Sequence, residues 1–142
     1  MERLPPWSLA LLFPLLFIAI WLFVIRVIAL AGWDHFARRF RTDVDAVTGL
    51  PKHGGQTGST GSQYYRHCLD AWVGADALYL RPSGLYRLFH PPVRLRFAEM
   101  ATVEPRASMR GEGVRIIMAG SDKPLSLYGP AGLAVLKHFE RP

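Results

Sequence analysis

Hydrophobic positions run almost unbroken from Trp7 to Trp33. Of these 27 residues only Ser8, Pro14, Arg26 and Gly32 fall outside the apolar and aromatic set. A run of this length reads as a membrane-crossing helix. Leu9 to Ile25 carries thirteen Leu, Ile, Phe or Val side chains and no charge. At about 0.3 to 0.6 kcal/mol each they favour insertion by roughly 4 to 8 kcal/mol. Arg26 at the bilayer centre would cost only about 2.5 to 3.5 kcal/mol, and near the end of the run it can snorkel to the headgroups. Trp7 and Trp33 suit the two interfaces, with Trp21 a lipid or helix contact. Residues 1–33 are thus assigned to a short tail and the transmembrane helix.

Downstream, Trp33, Phe36, Ala37 and Phe40 keep helical spacing, and Arg38, Arg39 and Arg41 fill much of the remaining surface. Two readings stand: a basic amphipathic helix over 34–47 lying on the membrane, or a continuation of the transmembrane helix packed on the following domain. Asp34 is a candidate N-cap if the helix restarts there. Residues 48–62, TGLPKHGGQTGSTGS, have no apolar period and read as a flexible linker or a long loop. They contain no G-x-x-x-x-G-K-[ST] phosphate loop.

From residue 63 the period changes to two. Strands are expected over Tyr64–Val73, Ala77–Arg81, Val93–Phe97, Ala101–Arg106, Val114–Met118 and Leu125–Tyr128. The third places Val93, Leu95 and Phe97 inward and Arg94 and Arg96 outward. Pro105 marks an edge or a bulge. Ala131 to Glu140 returns to a helical period with Leu133, Val135, Leu136 and Phe139 on one arc. The fold class is an N-terminal transmembrane α-helix plus a small mainly-β (α+β) domain over 63–142. About six antiparallel strands form a bent sheet or partly open barrel, capped by a C-terminal helix.

Over roughly 63–140 this pattern resembles the pleckstrin-homology-like superfamily, in particular its bacterial PH-like and GRAM-like members. The stretch that carries the resemblance is Gly84–Val103, GLYRLFHPPVRLRFAEMATV, where an alternating strand passes an acidic step at Glu99 into another strand. Ala31-Gly32-Trp33 before the arginines, then LYL and HPP, are similar to a group of small bacterial single-span proteins. The resemblance implies a PH-like fold and supplies no catalytic residues.

Composition sharpens the location. The chain has 142 residues and a formal net charge of +6, with 15 Lys or Arg against 10 Asp or Glu from Asp34 onward. Only Arg3 precedes the span, whereas Arg38, Arg39, Arg41 and Lys52 follow it. Positive residues stay inside, so the expected topology is a bacterial inner-membrane protein with its N-terminus outside and its C-terminal domain cytoplasmic. A cleaved signal peptide ending near Ala29-Leu30-Ala31 is the rival, opposed by the length of the apolar run and by Arg26. A single cysteine, Cys68, excludes an internal disulfide and fits a reducing compartment.

Candidate chemistry is sparse. The five histidines form no H-x-x-x-H or H-E-x-x-H, Cys68 has no C-x-x-C, and no serine sits in G-x-S-x-G. No catalytic residue, metal ligand or cofactor is therefore assigned, and the chain is not expected to be an enzyme. Binding is the better expectation. Leu85, Tyr86, Leu88, Phe89, His90, Pro91 and Pro92 form a loop too apolar for a solvated turn and are assigned to a protein partner. Arg38, Arg39 and Arg41 are assigned to the lipid surface. Arg81, Arg87, Arg94 and Arg96 are a possible basic face beside Tyr79 and Tyr86. The expected function is a membrane-anchored adaptor that contacts membrane lipids and a membrane-protein partner, but not nucleic acid. The alternatives are a structural subunit acting through its transmembrane helix, and a tethered enzyme whose site joins His67, Asp70 or Glu99.

Overall fold

The computed structural model describes residues 3, 5–42, 47, 49–60, 63–109 and 111–140. One helix dominates the N-terminal third. It begins as α1 (Pro6–Ile28), passes through a single π-helical turn at Ala29–Trp33 and continues as α2 (Asp34–Phe40). Together these 35 residues are long and apolar enough to cross a membrane. At about 1.5 Å per residue they extend roughly 50 Å, well beyond a ~30 Å hydrocarbon core, and the surplus belongs to the domain.

Seven antiparallel strands follow: β1 (Lys52–Thr60), β2 (Gln63–Val73), β3 (Ala77–Pro82), β4 (Val93–Arg96), β5 (Met100–Ser108), β6 (Gly111–Met118) and β7 (Leu125–Tyr128). Helix α3 (Pro130–Glu140) closes the chain. The strand order β4-β3-β2-β1-β7-β6-β5 puts β4 and β5 at opposite edges, although only the one-turn 3-10 helix Phe97–Glu99 joins them. A flat seven-stranded sheet would separate its edges by about 29 Å. The connection from Arg96 to Met100 reaches at most about 14 Å. The sheet must therefore curl, and it forms a half-barrel. Within it lie Leu69, Leu78, Leu80, Val93, Leu95, Val114, Ile116, Leu125 and Leu127, with Ala131 and Val135 of α3 packed on the opening.

The alternating strands expected from the sequence are present, with Val93, Leu95 and Phe97 buried, Arg96 exposed and β5 at an edge. The stretch expected to be a flexible linker or a long loop departs from the reading: of its described residues, 49–60, Lys52–Thr60 form β1, paired with β2 on one side and β7 on the other. Glycine is there for close approach. A Cβ on Gly58 would stand 2.6 Å from the Ser126 carbonyl oxygen and 2.8 Å from Leu69. Helix α3 forms as expected, but Leu133 and Phe139 stay largely exposed.

The membrane-surface reading of the basic helix is also corrected. Trp33, Phe36, Ala37 and Phe40 are buried in the same core as the strands, so this apolar face turns onto the domain. Ile25 and Ala29 are fully buried as well. Trp33, expected at a membrane interface, instead donates its indole N–H to the Pro91 carbonyl at 2.8 Å. Asp34 lies inside a continuous helix rather than capping a new one. The remainder of the proposed 34–47 helix includes residues 43–46, which are outside the described residues.

Candidate functional site

Between β3 and β4 the chain folds into a knuckle beside the long apolar helix. Gly84, in the left-handed region, opens a one-turn 3-10 helix (Gly84–Arg87), and a second left-handed residue, Phe89 at φ 60°, closes it. A non-glycine residue in that region is uncommon, and Phe in particular is strained there. The strain is held in place from both sides. The His90 N–H donates to the Arg87 carbonyl at 3.2 Å, and the His90 ring is buried.

The His90 ring has a defined tautomer. Nδ1 lies 2.8 Å from the Leu88 carbonyl, which only accepts, so Nδ1 carries the proton. Nε2 then accepts from the Tyr65 hydroxyl at 3.0 Å. Trp33 and Tyr86 pack against the same two rings, at centroid distances of 5.7 and 6.4 Å from His90. Burial lowers the His90 pKa, against the opposing pull of the Leu88 carbonyl, and keeps the ring neutral. Burial likewise pushes the Tyr65 phenol far above its usual value.

The two prolines that follow have no N–H to give, and their carbonyls serve as acceptors. Pro91 accepts from Trp33, and Pro92 accepts from the Thr42 N–H at 2.9 Å. Both bonds are trans, and an isolated bridge pairs Arg41 with Val93. The long N-terminal helix is thus fastened to the knuckle by side chain and backbone together.

Part of the loop assigned to a partner is consequently engaged within the fold. Tyr86 is half-buried and packs edge-on against Tyr65, His90 is buried, and Pro91 and Pro92 hold the helix. Leu88 and Phe89 remain outward, each 43% exposed. The Leu85 side chain is outside the described residues. Leu88 lies against Phe17, Ile18, Trp21 and Leu22 of α1, forming an apolar groove of about 410 Å³. The Arg26 guanidinium lies over the Phe89 ring, 5.6 Å from its centre, and pairs with Asp34 at 3.2 Å.

A second groove, of about 540 Å³, opens on the polar side of the knuckle. Among the described residues Arg26, Arg38, Arg41 and Arg87 line it, with Asp34 as the one carboxylate. The lipid-surface assignment therefore divides. Arg38 and Arg41 join this groove, whereas Arg39 turns away to donate to the Ala119 carbonyl at 2.6 Å. The expected basic face divides too. Arg87 belongs to the groove. Arg94 pairs with Asp76 at 3.3 Å beside Tyr79, Arg81 lies over Trp72, and Arg96 is exposed elsewhere on β4. Lys52, Trp72, Tyr79 and Arg94 stand in register across four strands, so cation–π contacts occupy part of that face.

Sequence reasoning missed Arg26 and Trp21 as members of one site. Only the register of the helix against the knuckle joins them. Residues considered for catalysis do not assemble: Asp70 is buried against Lys52 at 3.7 Å, and His67 is exposed with its backbone N–H bonded to Thr57. Among the described residues no three His, Cys, Asp or Glu side chains converge. Burial raises the Cys68 pKa, which disfavours a reactive thiolate. No protein-family model matches the chain, and neither does any curated protein sequence.

Proposed function

We propose that this chain is a single-span bacterial inner-membrane protein that holds a PH-like binding domain at the cytoplasmic face. It acts as a non-enzymatic adaptor for a membrane-protein partner. The observation that carries this reading is the Leu88–Phe89 knuckle: two exposed apolar side chains fixed by a buried network and held directly beside an apolar helix. Leu88 shares its groove with Phe17–Leu22, about one to two and a half helical turns before Arg26, so the hydrocarbon boundary falls near Leu22–Arg26 and the knuckle works at the membrane surface. Trp7 to Ile25 then supplies about 28 Å of span. The curled sheet with a C-terminal helix over its opening supports the PH-like resemblance, and the arginines that follow the span support a cytoplasmic domain.

Docking of the helix on the domain gives the mechanism its physical basis. A domain restricted to one surface and one orientation meets a membrane partner at raised effective concentration, and part of the orientational cost of binding is already met. The test is chemical cross-linking of the full chain in native membranes. Phe89→Asp removes the ring while placing at φ 60° a residue that tolerates the left-handed region. An anchor side chain at an interface contributes about 2 kcal/mol or more. The variant should therefore lose specific cross-linked species about thirtyfold while keeping wild-type membrane levels. Undiminished cross-linking would refute the knuckle as the docking point, and loss on replacing the helix alone would favour a structural subunit.

A further inference from the structure

We propose that the arginine groove binds the phosphate headgroup of an anionic phospholipid from the adjacent leaflet, one of whose acyl chains lies in the apolar groove beneath Leu88. This site rests on the membrane-spanning reading and adds a ligand class to it. The two grooves flank one knuckle: Arg87 and Phe89 line the polar one, and Leu88 lines the apolar one. An occupant of both must be charged at one end and hydrocarbon at the other.

Charge complementarity points to the same ligand. Among the described residues the polar groove presents four guanidinium groups against one carboxylate, and that carboxylate is engaged by Arg26. Among the described residues Arg38, Arg41 and Arg87 have no carboxylate partner, and all three are exposed. Guanidinium forks match phosphate oxygens in pairs, as an ammonium group does not. The groove volume is of the size that small ligands occupy. In the apolar groove, Phe17, Ile18, Leu22 and Leu88 offer hydrocarbon walls to a chain already in the bilayer, so little is lost in transferring it there.

Trp21 lines the apolar groove and makes the site measurable. The experiment uses the full chain with Trp7→Phe and Trp72→Phe, so that Trp21 reports beside the core residue Trp33. The protein is reconstituted into phosphatidylcholine bilayers containing a minority of lipid brominated on its acyl chains, either phosphatidylglycerol or phosphatidylcholine. Brominated phosphatidylglycerol should occupy the site with at least about tenfold preference and quench Trp21 accordingly. Arg38→Gln, Arg41→Gln and Arg87→Gln together should bring the preference to near one. Arg81→Gln, Arg94→Gln and Arg96→Gln, which remove the same charge elsewhere, should leave it intact.

Equal quenching by the two lipids overturns the proposal, as does equal loss in both triple variants, which would mean net charge alone. Relief of quenching by millimolar inorganic phosphate also overturns it, because the site would then take the soluble ion. Flotation with plain phosphatidylcholine vesicles reports the span separately. A chain that fails to float removes the membrane-spanning reading, whereas one that floats without lipid preference removes only this site.

Discussion

His90 shows how one residue can hold a surface feature from beneath. Its two ring nitrogens are committed in opposite senses, one donating to Leu88 and one accepting from Tyr65, so only the neutral ring satisfies both. Because burial depresses its pKa in the fold, the unfolded chain takes up the proton first as the pH falls. The stabilisation is complete above the ordinary value of 6.5 and is lost as the pH drops below it through the folded value. Thermal unfolding of the full chain in detergent should therefore shift downward between about pH 7 and pH 5. His90→Gln, which retains an acceptor but does not titrate, should flatten that dependence. A profile unchanged by the substitution would show that the ring is not the group responsible. Neighbouring Phe89 carries the complementary lesson. A strained backbone under an exposed aromatic ring is consistent with the docking role proposed for that ring.

At the scale of elements, the decisive feature is the π turn at Ala29–Trp33. It carries the helix past β1, where Gly32 meets the backbone and side chain of Thr60 at a separation no Cβ could share. Gly32→Val should push the helix from the barrel and expose Trp33 and Phe36, costing about 3 kcal/mol or more, as overpacking does when backbone must move. Indole emission should shift to the red as Trp33 loses its burial, and thermal stability should fall; an unchanged spectrum would refute the close approach. The sequence made the alternating strands and the apolar helix legible, since period and length alone identify them. It concealed β1, because glycines that admit neighbouring backbone look the same as glycines that free a loop. The knuckle was legible only as apolar residues in a turn. Which of them face outward depends on Trp33 and Tyr65, which lie 58 and 25 residues from the groups they bond.

For the whole molecule, the consequence is that the N-terminal helix and the β domain share one core. Had residues 48–62 been a linker, a fragment beginning there would fold alone and the helix would merely tether it. Instead the π turn contributes Trp33 and α2 contributes Phe36 and Phe40 to the barrel core, each at most 6% exposed. Burying such side chains stabilises by about 1.5 to 3 kcal/mol apiece. Their sum, roughly 5 to 9 kcal/mol as an upper estimate, equals the entire stability of many small domains. A soluble fragment starting at residue 48 should therefore be unfolded or aggregated. One starting at Ala29, which retains the π turn and α2 but sheds the apolar span, should show cooperative unfolding. Circular dichroism melts of the two fragments make the comparison. Cooperative melting of the shorter one at the same temperature would mean that α2 only rests on the barrel. In that case the orientation of the knuckle at the membrane surface would no longer be fixed by the fold.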